Sequence, residues 1–82
     1  MPQPGDLKEL VKYIAASLVE NPEAVQVAEI EGEQTSVIEL RVAKDDLGKV
    51  IGREGRTAKA MRVILNAAST RHNKRTMLEI LD

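Results

Sequence analysis

Cysteine, phenylalanine and tryptophan are absent from this 82-residue chain, and there is one tyrosine, Tyr13, and one histidine, His72. Without cysteine there is no disulfide framework and no thiolate chemistry, which suits a reducing compartment and leaves stability to packing. Without a set of aromatics there is nothing on which an RRM, cold-shock or OB-type reader could stack bases. Catalysis lacks parts as well: His72 stands alone in a polar His-Asn-Lys stretch, and Asp45 and Asp46 are adjacent, which suits helix capping better than convergent metal ligation. No catalytic residue, metal site or cofactor is therefore expected, and the chain reads as a non-enzyme. Neither the P-loop nor the dinucleotide-binding glycine pattern occurs. No apolar run approaches the roughly 18 residues of a membrane span, so no membrane partner is expected. The N-terminal MPQPGDLKEL lacks the basic and apolar regions of a secretory signal, so a cytoplasmic location is expected.

What is there fits one small folded domain. The 43% hydrophobic and 30% charged residues argue against disorder, and the length leaves no room for a second core. Residues 1–82 are expected to form a single domain, with residues 1–5 a loose N-terminus. The formal net charge of -1 hides a sorting of charge along the chain. Residues 1–40 carry two basic and eight acidic side chains, whereas residues 41–82 carry ten basic and five acidic ones, so a net -6 is followed by a net +5. Such sorting points to an anion-binding surface in the second half, against the plainer alternative of two solvated faces.

Periodicity predicts the elements. Pro4 and Gly5 read as a loop, and Asp6 with Glu9 as a capping box. Leu7, Leu10, Val11, Ile14 and Leu18 then follow helical spacing up to Asn21-Pro22. Residues 24–30 and 35–42 read as two antiparallel strands joined by a turn around residues 31–34. In the second, Ile38, Leu40 and Val42 alternate with Glu39 and Arg41. Asp45 or Asp46 caps a short helix over residues 47–51, and a longer helix runs from about Gly55 to Thr70. His72, Asn73 and Lys74 break it before a last strand over residues 76–81, with Leu78 and Ile80 inward. The α-β-β-α-α-β order implies an α+β domain, a three-stranded sheet with helices on one face.

Between the two helices lies Gly52-Arg53-Glu54-Gly55. Two glycines allow a tight corner or a close approach to another molecule. The corner leaves free amides at the start of the second helix, where the helix dipole favours an anion. Lys49, Arg53, Arg56, Lys59 and Arg62 surround it, with Glu54 the single acid among them. On the long helix, Arg56, Lys59, Arg62 or Val63, and Asn66 form one face, opposite a largely apolar face of Thr57, Met61, Ile64, Leu65 and Ala68. The competing reading is a plain helix corner with solubilising cations.

The string VIGREGR, in this element order, resembles the KH domain, and the order is that of the prokaryotic, type II version. The Asn-Pro after the first helix, the segment LGKVIGREGRTAKAMR and the terminal LEILD are similar to the small single-domain bacterial KH proteins of the KhpA family, over nearly the whole chain. The resemblance implies an RNA-binding protein whose Gly-x-x-Gly loop clamps the backbone of about four nucleotides of single-stranded RNA, with bases in an apolar groove. Carried over, Gly52, Arg53, Glu54 and Gly55 form the clamp, Lys49, Arg56 and Lys59 flank it, and Ile51 lies at the groove. Ile38, Leu40 and Val42 are candidates for the strand side, with core packing as their competing role. Ala58 stands where many KH domains carry a larger aliphatic residue, and Glu54 puts a negative charge in the clamp, so modest affinity is expected. The family further implies a homodimer, pairing with a larger KhpB/Jag-type KH protein, and a role as post-transcriptional regulator or RNA chaperone linked to cell shape and division. The alternative is a KH-fold interaction module that pairs with protein and has weak or no RNA binding of its own.

Overall fold

The computed structural model describes residues 4–70 and 75–81. Met1–Gln3 and the His72-Asn73-Lys74 stretch expected to end the long helix lie outside the described residues. Helix α1 spans Pro4–Leu18, so Pro4 and Gly5 belong to the helix and not to a loop, and Asp6 falls inside the first turn instead of ahead of it. Proline is accommodated there because its missing N–H would have no helical partner at that position. Pro22–Ala24 then form a single 3-10 turn, closed by the Val25 amide donating to the Pro22 carbonyl at 3.2 Å, which delays the first strand by two residues.

The strands are β1 (Gln26–Glu31), β2 (Thr35–Arg41) and β3 (Arg75–Leu81), in the order β1-β2-β3. β1 and β2 are antiparallel, with Gln26 opposite Arg41 and Glu31 opposite Ser36. β3 runs parallel to β2, with Thr35 opposite Arg75 and Arg41 opposite Leu81. A parallel pair needs a crossover connection, and it is supplied by α2 (Leu47–Ile51) and α3 (Arg56–Ser69). The result is a mixed sheet with β2 at its centre and β3 at one edge.

One face of this sheet is covered and the other is open. Ile38 and Leu40 of β2 and Leu78 of β3 pack against Leu7, Val11 and Ala15 of α1, Val50 of α2, and Met61 and Leu65 of α3. On the open side Ile30 lies opposite Val37, and Val37 opposite Met77; Ile30 and Met77 are exposed. The two-layer α+β arrangement is the expected one, but the inward row of α3 differs. It consists of Ala58, Met61, Leu65 and Ser69, while Ile64, expected inside, is 48% exposed and Val63 67%. Helix α3 packs along β3 at the sheet's edge, so only a narrow stripe is covered. A residue about 100° round from Leu65 falls outside it.

Candidate nucleic-acid interface

The corner between α2 and α3 is built from backbone angles that side chains disfavour. Gly52 adopts φ 80, ψ 169; Glu54 adopts φ 57, ψ 25; Gly55 adopts φ 75, ψ 14. The Gly52 amide still closes α2 by donating to the Gly48 carbonyl at 2.8 Å, and the Gly55 amide donates to the Gly52 carbonyl at 3.1 Å. Thr57 packs against Gly52 so closely that a Cβ there would overlap its Oγ1 and lie 2.8 Å from its Cβ and its amide nitrogen. Nothing lies within 4 Å of a Cβ built on Gly55, which faces open space. Gly52 is therefore required by the fold, and Gly55 by its dihedrals alone. Glu54 is the one described non-glycine residue with positive φ. It holds this left-handed geometry at a cost of about 1–2 kcal/mol.

Helix α3 begins immediately after, with Gly55 as its N-cap and no side chain capping it. Its first amides and its dipole thus face the turn, with Arg53, Glu54 and Arg56 exposed around them. Beside the turn opens a groove of about 380 Å³, lined by Ile51, Gly55, Ala58, Lys59, Arg62, Leu78, Glu79 and Ile80. Its floor is aliphatic and its rim carries two cations and one acid. The strand wall is β3, not β2. Ile38 and Leu40, candidates for that wall, are 0% exposed and belong to the core. Val42 is buried too and lines a separate cavity of about 360 Å³ with Arg41, Lys44, Leu47 and Leu81. The correction follows from the parallel pairing, which places β3 at the free edge next to α3. Leu78, Glu79 and Ile80 are the groove residues that sequence reasoning left out of the site, and Arg62, counted there only among the cations around the turn, joins them. The 76–81 alternation did mark Leu78 and Ile80 as inward, but only the pairing order shows what they face.

The sequence profile of the KhpA/KhpB KH domain matches residues 8–80. The chain belongs to that family. It is 51% identical to RNA-binding protein KhpA of Clostridium acetobutylicum over 92% of this chain and 100% of that protein. To RNA-binding protein KhpA of Aquifex aeolicus it is 54% identical, over 93% of this chain and 96% of the relative. With that of Borreliella burgdorferi it shares 45% identity over the full length of both. These relatives are bacterial, and membership sets the chain among KH proteins and not among enzymes. Among solved structures it is similar to Era of Aquifex aeolicus bound to GDP and aluminium fluoride, with a TM-score of 0.61 and 22% identity over 98% of this chain and 31% of that one. Era in complex with MgGDPNP and nucleotides 1506-1542 of 16S ribosomal RNA gives a TM-score of 0.62 and 22% identity, over 98% and 30%. These two likenesses bear on the fold.

In this KhpA/KhpB-type domain the short helix α2 is anchored from below by Asp46. The residue stands at the N-cap position of α2 yet makes no capping bond to it. Its carboxylate instead accepts from the amides of Glu20 and Asn21, at 3.2 and 3.0 Å, and from Asn21 Nδ2 at 3.0 Å. Lys49 Nζ completes the set at 3.5 Å. Burial pushes the Asp46 carboxyl up, but the bonds from the Asn21 side chain, the two amides and the Lys49 charge outweigh it and hold the group below its ordinary range. Lys49, expected in the RNA-binding set, is thus turned toward Asp46 and does not line the groove. Among the described residues no cluster of acids and histidines is placed to hold a metal ion, and no helix is long and apolar enough to cross a membrane.

Proposed function

We propose that the chain binds single-stranded RNA in the cytoplasm, holding the strand's backbone at the Gly52–Gly55 turn and its bases in the groove between α3 and β3. The observation that carries this reading is the turn itself. Three of its residues have positive φ, and the tight corner they make sets the uncapped start of α3, with the exposed Arg53 and Arg56 on either side of Gly55, next to an aliphatic groove that Gly55 itself lines. Amides, dipole and guanidinium groups together suit a phosphate, and the relatives' name, RNA-binding protein KhpA, favours RNA as its bearer. Residues 1–82 act as one KH unit, and about four nucleotides is too short a footprint to choose a transcript.

The test is fluorescence anisotropy of a short unstructured RNA at two salt concentrations, with the parent and Arg53→Asp. The parent should bind with log K falling by about 0.7 per log unit of salt for each phosphate neutralised. The variant should lose binding while its circular dichroism is unchanged. Equal binding by both would refute the clamp.

A second reading concerns pairing. Ala60, Val63, Ile64 and Ala67 form an uncovered stripe on α3, and a domain this small gains from burying it in a homodimer or against a KhpB/Jag-type partner. A dimer would present two clamps and raise the affinity for a longer RNA through effective concentration. Sedimentation should show a dimer that Val63→Glu dissociates. A parent that stays monomeric at high concentration would remove this reading and leave the clamp untouched.

A further inference from the structure

The depression between α3 and β3 continues past the groove. On the far side of Arg62 lies a second hollow of about 130 Å³, lined by Arg62, Asn66, Arg75, Thr76, Met77 and Leu78. Arg62 and Leu78 border both spaces, so the two adjoin, with the Arg62 side chain between them. That side chain is a sill: Arg62 Nε and Nη2 donate to the Leu78 carbonyl at 3.4 and 3.3 Å. Both bonds are long for N–H···O, and Arg62 is exposed. A phosphate offers its guanidinium a shorter, charge-assisted and bidentate alternative.

We propose that this hollow is a second RNA subsite, which takes the nucleotide following those held at the Gly52–Gly55 turn. The inference rests on the clamp reading and extends it. Arg62 and Arg75 supply cations for a phosphate on either side of the hollow. Asn66, exposed on α3 between them, carries the donor and acceptor that can pair with a base edge. Gly55 and Asn66 are eleven residues apart in sequence, about 16 Å along the helix axis at 1.5 Å per residue, so the two subsites lie on one line along α3. Arg75 stands at the start of β3, where its amide donates to the Gln34 carbonyl at 2.9 Å, which fixes its backbone at the edge of the hollow. The occupant is a nucleic acid strand and not a peptide strand. A peptide adding to the free edge of β3 needs the backbone acceptors of that edge, and Arg62 already covers the one at Leu78.

The test compares labelled single-stranded RNAs of about four and about eight nucleotides, with the parent, Asn66→Asp, Arg75→Glu and Arg53→Asp, each checked by circular dichroism. Asn66 and Arg75 are exposed, so their substitution leaves the core intact. The parent should gain affinity with length. Asn66→Asp and Arg75→Glu should bind the shorter RNA as the parent does, yet lose about tenfold on the longer one, and Arg75→Glu, which removes a phosphate contact, should also lower the salt slope by about 0.7. If both variants weaken the two RNAs equally, the charges act only at long range and the subsite is overturned; it is equally overturned if neither variant alters the gain with length. Failure of the clamp reads out separately, as an Arg53→Asp variant that binds the shorter RNA like the parent.

Discussion

Alanine at Gly52 should cost several times more stability than alanine at Gly55, although both glycines have positive φ and stand three residues apart in one turn. At Gly52 two penalties combine. With φ 80 and ψ 169 the backbone sits in a region open essentially to glycine, worth about 1–3 kcal/mol for another residue. The new methyl also meets the Thr57 side chain and comes to 2.8 Å from its backbone nitrogen, an overpacking worth about 1–3 kcal/mol more. At Gly55 the left-handed angles alone cost about 1–2 kcal/mol, the space is open, and the unfolded chain loses about 0.4–1 kcal/mol of entropy that offsets part of it. With the same entropy offset taken at both positions, the expected losses are about 1–5.5 kcal/mol for Gly52→Ala and about 0–1.5 kcal/mol for Gly55→Ala. A domain of this size has only about 4–12 kcal/mol in all. Urea unfolding followed by circular dichroism measures both. Gly52→Ala combined with Thr57→Ala should recover part of the loss, since Oγ1 is removed while the backbone nitrogen stays. Gly55→Ala, still folded, should bind RNA more weakly because its methyl projects from the open side of the turn. Equal costs at the two positions, or a neutral Gly52→Ala, would refute the reasoning.

Three further outcomes are expected. The folded-state pKa of Asp46 lies below its ordinary value, so its contribution to stability is fully present above about pH 3.9 and is lost as pH falls through the lower folded value. Asp46→Asn, which puts an NH2 group where one carboxylate oxygen faces two donors, should lower the melting temperature at neutral pH and flatten its decline in the acid window. Parallel curves for parent and variant would contradict this. Glu54→Asn should raise stability by up to about 1 kcal/mol, since asparagine tolerates the left-handed geometry better, and should also tighten RNA binding by removing the negative charge from the turn; weaker binding would show that Glu54 itself makes a contact. Ile38→Val should cost about 0.5–1.5 kcal/mol and leave the RNA affinity of the folded protein unchanged. Ile80→Ala, at the groove, should weaken binding. The reverse pattern would return the strand wall to β2.

Much of this architecture is local and therefore legible in the chain. Helical and alternating spacings mark α1, β2 and β3, because each must bury one face and the periods of 3.6 and 2 leave their imprint on residue order. The Gly52–Gly55 corner and its cations are visible because they are contiguous, and so is the family. The misplacements share one cause. Ile38, Leu40 and Val42 alternate as a groove wall would, and Ile64 follows the apolar spacing of α3. Whether such a residue faces the core, the groove or solvent depends on what packs against its element, and local order does not contain that.

The sequence by itself determined the element order, the backbone freedom of the turn, the sorting of acidic and basic halves, the absence of thiols and the lack of any aromatic beyond Tyr13. Tertiary structure alone decided that β3 pairs parallel to β2 at the sheet's edge and so walls the groove. It also decided that Asp46 bonds to Asn21, 25 residues away, and draws Lys49 aside, and that Arg62 bridges α3 to the Leu78 carbonyl. The physical reason is that the first set follows from steric and periodic constraints within a few residues. The second arises from pairings between distant segments, whose free energies are set only once the whole core has formed.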